Sequence, residues 1–230
     1  MSGFAGFPAE TFAWFAGLEA ENTRDWFAAH RDVFERDVHG AFEALLDELA
    51  DEVGGAVKVF RQHRDLRFSP DKSPYKTRTY GVIHDRQDGG PVLYAEVSSP
   101  GLFGGTGGYR FAPDQLERFR AAVADDTAGP DLETVVAGVH AAGVETFGEE
   151  LKTAPRGYPR DHPRVALLRH KSLIGGARLK PGPRGIGRAA ALKHLRHTWG
   201  ACEELNAWLA AHVGPSELPE DAPGGRGRRR

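Results

Sequence analysis

The sequence predicts an α+β fold: a single domain over residues 1–213 with a central antiparallel β-sheet packed by N-terminal and C-terminal α-helices. Three patterns point there. Apolar residues recur at steps of three and four near the start, short apolar runs divided by Gly/Pro turns fill the middle, and helical periodicity returns toward the end.

Taken in order, Phe12, Phe15 and Leu18, then Trp26, Phe27, Val33, Phe34, Val38, Phe42, Leu45, Leu46 and Leu49, predict a helix, a break, and a longer helix. Asn22 or Thr23 suits the N-cap of the second helix, and Gly54 with Gly55 ends it. VKVFRQHRDLRF, TYGVIH, VLYAEV and a glycine-punctuated stretch reaching Tyr109, Arg110 and Phe111 predict a meander of about four or five strands, with turns at SPDKSP, DRQDGGP and SPG. GLFGGTGGYRF lacks the residue order of a phosphate loop. Its glycines predict a strand bend, with Gly107 and Gly108 permitting close backbone approach. Pro113 and Asp114 open a helix through Leu116, Phe119 and Val123, a further helix covers 132–142, and 144–151 returns as a strand. Asp161 is placed as the cap of a helix running to Leu173, with Val165 and Leu168 on its apolar stripe. PGPRGIGR reads as a loop, and 189–213 as a helix interrupted near Thr198. Residues 214–230 form a Pro/Gly/Arg-rich tail without apolar periodicity, expected to be disordered.

Composition narrows the functional classes. One cysteine, Cys202, leaves no internal disulfide, and a reducing cytoplasm is the expected setting. The N-terminus shows no leader pattern, and nowhere do eighteen apolar residues run together, so no membrane segment is expected. His194 and His197 share a helical face, yet no zinc-like spacing occurs and no metal is expected. A G-x-S-x-G elbow is missing, and Cys202 reads as a packed side chain. Trp14, Trp26, Trp199 and Trp208 fall at helical core positions. Nothing in the sequence names a cofactor or an oligomeric state.

The formal charge of -2 hides a strong asymmetry. Residues 58–78 carry 7 Lys/Arg against 2 Asp/Glu, and 152–196 carry 12 against 1, within an otherwise acidic chain. Brought together, these blocks would make a basin that attracts a compact anion; left apart, they would pair with the acidic helices.

The first block, RQHRDLRFSPDKSPYKT, concentrates the chemistry. Alternation places Arg61, His63, Asp65 and Arg67 on one face and Phe60, Gln62, Arg64, Leu66 and Phe68 on the other. Arg64 thus falls among apolar neighbours: either the strand bulges there, or a partly buried guanidinium needs a ligand or a carboxylate, that of Asp65 or of a distant acid. Pro70 and Pro74 stiffen the turn that presents Lys72 and Tyr75.

The pattern R61-x-x-R64-D65-x-R67-F68-x-x-D71-K72-x-x-Y75 resembles the signature of a bacterial protein family, DUF2461. NTRDWFAAHRDVF, GGYRFAPDQLERFRAA and RDHPRVALLRHKSL resemble further stretches of that family, so the resemblance extends to about Gly214. PGPRGIGR departs from the family pattern just before the last helix. The resemblance implies one domain and gives weight to Arg61, Arg64, Asp65, Arg67, Lys72 and Tyr75; it implies no activity.

The expected site is a pocket in which Arg61, Arg64, Arg67, Lys72 and Lys76, joined by Lys171 or Arg178 from the second basic block, bind a small phosphate- or carboxylate-bearing ligand. If it is catalytic, Asp65 would be the base and Lys72 or Tyr75 the proton donor. Two alternatives stand beside it. One is a nucleic-acid-binding module, disfavoured by the acidic helices; the other is a buried ion-pair network with no ligand.

Overall fold

In the computed structural model, residues 3–67, 69–86 and 90–219 are described. The fold is α+β, with a six-stranded antiparallel sheet and flanking helices. The elements run β1 Gly6–Phe7, α1 Ala9–Ala20, α2 Arg24–Ala29, α3 Arg31–Val33, a π-helical turn Phe34–Gly40, α4 Ala41–Val53, β2 Ala56–Val59, β3 Arg78–His84, β4 Leu93–Ser98, β5 Gly101–Gly108, α5 Pro113–Ala124, α6 Ala128–Ala141, β6 Glu145–Phe147, α7 Val165–Leu168, β7 Leu173–Leu179, β8 Ile186–Gly187, α8 Arg188–Gly200 and α9 Glu203–His212. The sheet order is β2-β3-β4-β5-β7-β6, and β1 pairs separately with β8. Two compact units emerge, residues 1–105 with 177–197, and 106–176 with 198–230.

In the first unit the helical run at the N-terminus wraps a core of Phe15, Leu18, Val38, Phe42, Leu45, Leu46 and Leu49, all essentially inaccessible. Each such side chain contributes roughly 1.5 to 3 kcal/mol by leaving water. Thr23, rather than Asn22, caps α2: its Oγ1 accepts the Trp26 N–H at 3.1 Å. The longer helix expected from periodicity is divided at His30 and widened into the π-turn, which still keeps Phe34, Val38 and Phe42 buried. Gly54 stops α4 in the left-handed region at φ 66°.

α4 lies close against β3. A Cβ at Gly81 would stand 2.7 Å from Leu46 Cδ1, so this position takes no side chain while α4 is seated there. Along β3, Thr79, Gly81 and Ile83 are buried, whereas Arg78, Tyr80, Val82 and His84 alternate onto the opposite face. The register pairs Tyr80 with Glu96 on β4 and Val82 with both Lys58 on β2 and Tyr94 on β4. α8 is tied to α4 by Arg188 with Glu48 and Arg196 with Glu52.

In the second unit, Trp208 of α9 donates its indole N–H to Ala128 O at 3.0 Å, and the Cys202 thiol packs on Gly175 of β7. Burial pushes that thiol up to about 11, so it stays protonated and packed at neutral pH. Arg164, 8% exposed, donates to the carbonyls of Val123, Ala124 and Asp125 and so closes the C-terminal end of α5. Gly107 has φ 129°, and a Cβ there would stand 2.5 Å from Leu173 O, the close approach that the glycine cluster predicted.

Several expectations require correction. β2 ends at Val59, and 60–67 continue outside any regular strand. Asp161 caps no helix; α7 is one turn beginning at Val165, and Leu173 starts strand β7, not the end of a helix. Val165, Leu168 and Leu173 fit a helical step, but Leu173 opens β7, and the missing side chain at Gly175 admits the Cys202 thiol against that strand. The strand expected over 144–151 is confined to Glu145–Phe147. Phe68, residues 87–89 of the DRQDGGP turn and 220–230 of the tail lie outside the described residues.

Two glycine variants test how tightly the backbone is packed. Gly107→Ala is expected to lower stability by more than about 1 kcal/mol through strain and collision. Gly138→Ala, on the open side of α6 with nothing near the position its methyl would take, is expected to raise it by about 0.5 to 1 kcal/mol. Urea denaturation of both proteins checks the opposite signs.

Candidate functional site

The segment between β2 and β3 folds back as a narrow excursion. Phe60 N–H still reaches Tyr80 O at 3.0 Å, after which Lys76 N–H donates to Gln62 O and Arg64 N–H to Pro74 O, both at 2.9 Å. Gln62, 6% exposed, adds its side chain: Oε1 accepts from Thr79 Oγ1 at 2.9 Å and Nε2 donates to Lys76 O. Side chains from Arg61 to Arg67 therefore keep the predicted alternation of exposure without a regular ladder.

Tyr75 is fixed from two sides. Asn22, just past α1, donates Nδ2 to Tyr75 O at 2.9 Å and accepts the Tyr75 N–H on Oδ1 at 3.1 Å. The ring stacks on Phe27 with centroids 4.1 Å apart and planes at 14°, and His63 lies against it at 4.9 Å.

At the tip, charges pair locally. Arg64 is engaged by Asp71, and it also donates to Ser69 Oγ at 3.1 Å and Ser73 O at 3.3 Å. The distant acid, not Asp65, is thus its partner. Asp71 also accepts from Ser73 N–H and Oγ, and these hydrogen bonds together with Arg64 hold its carboxyl well below the usual range. Asp65 is chelated by Arg67, at 3.0 Å from Nε and 2.7 Å from Nη2. Side-chain and then backbone hydrogen bonds from Arg67 lower its pKa to about 2. Lys72 donates to Leu66 O at 3.1 Å.

Below this tip lies a cleft of about 400 Å³. Its walls are Glu19 and Asn22, the loop residues Arg64, Asp71 and Ser73, and the run Tyr75, Lys76, Thr77 and Arg78 that enters β3. Lys76 Nζ donates to Arg61 O at 2.6 Å. Arg78 has Glu96 3.5 Å away, but Arg178 on β7 claims the same carboxylate at 3.2 Å and also donates to Ser98 Oγ.

Of the residues picked from sequence, Arg64, Tyr75 and Lys76 line the cleft. Arg178 reaches its edge through Glu96. Arg61, Asp65, Arg67 and Lys72 stand on the excursion outside the lining, and Lys171 belongs to the other unit, where it pairs with Glu149. Sequence reading missed Arg78, Glu96 and the Asn22 clamp. Arg78 carried a legible signal: it shares the period-two phase of Tyr80 at the start of a strand, two residues after Lys76. Among the described residues no cluster of His, Cys, Asp or Glu could hold a metal, and no helix is long and apolar enough to cross a membrane.

The structure thus defines an α+β protein with a mixed-charge cleft at the root of a proline-stiffened excursion from its sheet. The chain belongs to the DUF2461 family, conserved hypothetical proteins, whose family pattern matches residues 10–208. No curated protein matches it.

The ion pair at the tip sets a pH dependence. Asp65 titrates lower in the folded chain than the ordinary value near 3.9, so its pairing stabilises above that pH and is lost as pH falls through about 2. A carboxyl NMR titration is expected to place the Asp65 midpoint near 2 in the wild type. In Arg67→Ala it is expected to return toward about 4.

Proposed function

We propose that the protein binds a compact phosphate- or carboxylate-bearing ligand in the cleft, with Lys76 and Arg78 as the principal cationic contacts. One observation carries this reading: two cations line one cleft without a full carboxylate each, Lys76 being held by a backbone carbonyl and Arg78 facing Glu96 Oε2 at 3.5 Å while Arg178 takes Oε1 of the same group. An anion would give both an uncontested partner, and a guanidinium offers it a two-pronged contact. Thr77 adds a hydroxyl donor, and Tyr75, its ring stacked on Phe27, lines the same space.

For proton transfer, the chelated Asp65 is a poor base at neutral pH. We assign it instead to holding Arg67. Tyr75 is the one member of the proposed catalytic set on the cleft wall, suited to donating to a bound anion. Binding is therefore the reading we adopt, with no reaction assigned.

The ion-pair alternative is favoured for part of the motif by the Arg64 contacts with Asp71, Ser69 and Ser73. In the combined reading Arg64 and Arg67 shape the excursion, while Lys76 and Arg78 serve the ligand.

Thermal unfolding with phosphate, pyrophosphate and citrate checks this. Wild-type protein is expected to melt higher with at least one of them, by an amount that grows with ligand concentration. Lys76→Ala and Arg78→Ala are expected to fold but lose the increment, whereas Arg64→Ala melts lower without any anion. An equal increment in all the proteins, or none in the wild type, contradicts the proposal.

A further inference from the structure

The geometry points to single-stranded nucleic acid as the source of the compact anion: one phosphate of the strand occupies the cleft while its bases stack on a row of rings that crosses the sheet face beside it. This inference rests on the anion-binding reading above. The row runs Phe60, Tyr80, Tyr94, Phe103, one ring from each of four neighbouring chain segments. Successive centroids lie 4.8, 6.0 and 6.1 Å apart, and all four rings are partly exposed.

Cations are interleaved with the rings. Lys58 lies 5.4 Å over Phe60, Lys76 4.6 Å and Arg78 5.7 Å over Tyr80, and Arg178 5.2 Å over Phe103. Lys76 and Arg78 belong to both features, so an anion in the cleft stands next to the Tyr80 ring. Glu96, the carboxylate on this face of β4, accepts from the Tyr94 hydroxyl at 2.9 Å and lies between Arg78 and Arg178. It steadies two guanidinium planes above rings while being only 7% exposed itself.

Aromatic faces and guanidinium planes are the surfaces on which unpaired bases stack, and cations at intervals answer the phosphates between them. An acidic peptide would engage the cations and leave the rings without a role. A mononucleotide has one base for a row of four rings. The acidic composition does not oppose the assignment, because α4, which carries Glu43, Asp47, Glu48, Asp51 and Glu52, packs under the other face of β3 through Phe42 and Leu46. Two of those acids are already paired with Arg188 and Arg196.

Fluorescence anisotropy of a labelled oligothymidylate of about ten nucleotides tests the inference. The wild type is expected to bind it, less tightly at about 200 mM than at about 50 mM salt. Tyr80→Leu, which keeps apolar bulk but removes the ring, is expected to weaken binding about tenfold, with Tyr80→Phe restoring it. An abasic deoxyribose-phosphate chain serves as the control, and wild-type melting with inorganic phosphate is recorded in parallel. If the abasic chain binds as well as the oligothymidylate, or Tyr80→Leu is without effect, stacking is refuted while a phosphate-induced rise in melting leaves the cleft reading standing. Equal affinity for thymidine monophosphate and the oligomer refutes a polymeric ligand. No binding of the oligomer, together with no phosphate effect, overturns both readings.

Discussion

The side-chain amide of Asn22 satisfies both backbone groups of Tyr75, and the shape of the cleft follows from that clamp. Tyr75 and His63 form an isolated antiparallel bridge between the Lys76–Gln62 and Arg64–Pro74 bonds, and the outward-facing N–H and C=O of Tyr75 are closed by Asn22 rather than by a further strand. Ordering such a segment costs about 1 to 2 kcal/mol per residue, while each hydrogen bond returns about 0.5 to 1.5 kcal/mol net. Bonds alone do not hold it. Burial of the Tyr75 ring on Phe27, and of Gln62 with a partner on each side-chain amide atom, adds to them and fixes where Lys76 and Arg78 emerge.

Positive charge in this chain is divided between scaffold and surface. Arg164 caps α5, Arg188 and Arg196 join α8 to α4, and Arg64 and Arg67 are consumed at the tip of the excursion. These contacts occupy five of the nineteen cations in the two basic blocks. What is left near the cleft is Lys76 and Arg78, a lysine on a carbonyl and an arginine on a shared acid. That leftover, rather than the density of basic residues, is what distinguishes a ligand site from a charge-paired surface.

The fold class was legible because periodicities of two and 3.6 report burial directly, and burial decides the layers. The end of β2 was not, since residues 61–67 keep alternating in exposure after the ladder has stopped. Strand β7 was hidden by LIGGARL itself, whose two glycines weaken the alternation while Leu168 and Leu173 follow Val165 at the helical spacings of three and eight residues. At the site, Arg64 was correctly singled out as a half-buried cation needing an acid. That the acid is Asp71 depends on how the proline-containing tip folds back. Glu96 and Asn22 act across long sequence separations, and no local pattern marks such partners.

Where an anion binds is the most direct test. Backbone amide shifts followed by NMR as inorganic phosphate is added to the wild-type protein would locate it. The cleft reading predicts shifts concentrated at Asn22 and from Ser73 to Arg78, saturating with a common affinity. Shifts centred on Arg61, Asp65 and Arg67 at the tip, scattered over the surface, or absent at saturating phosphate would contradict it.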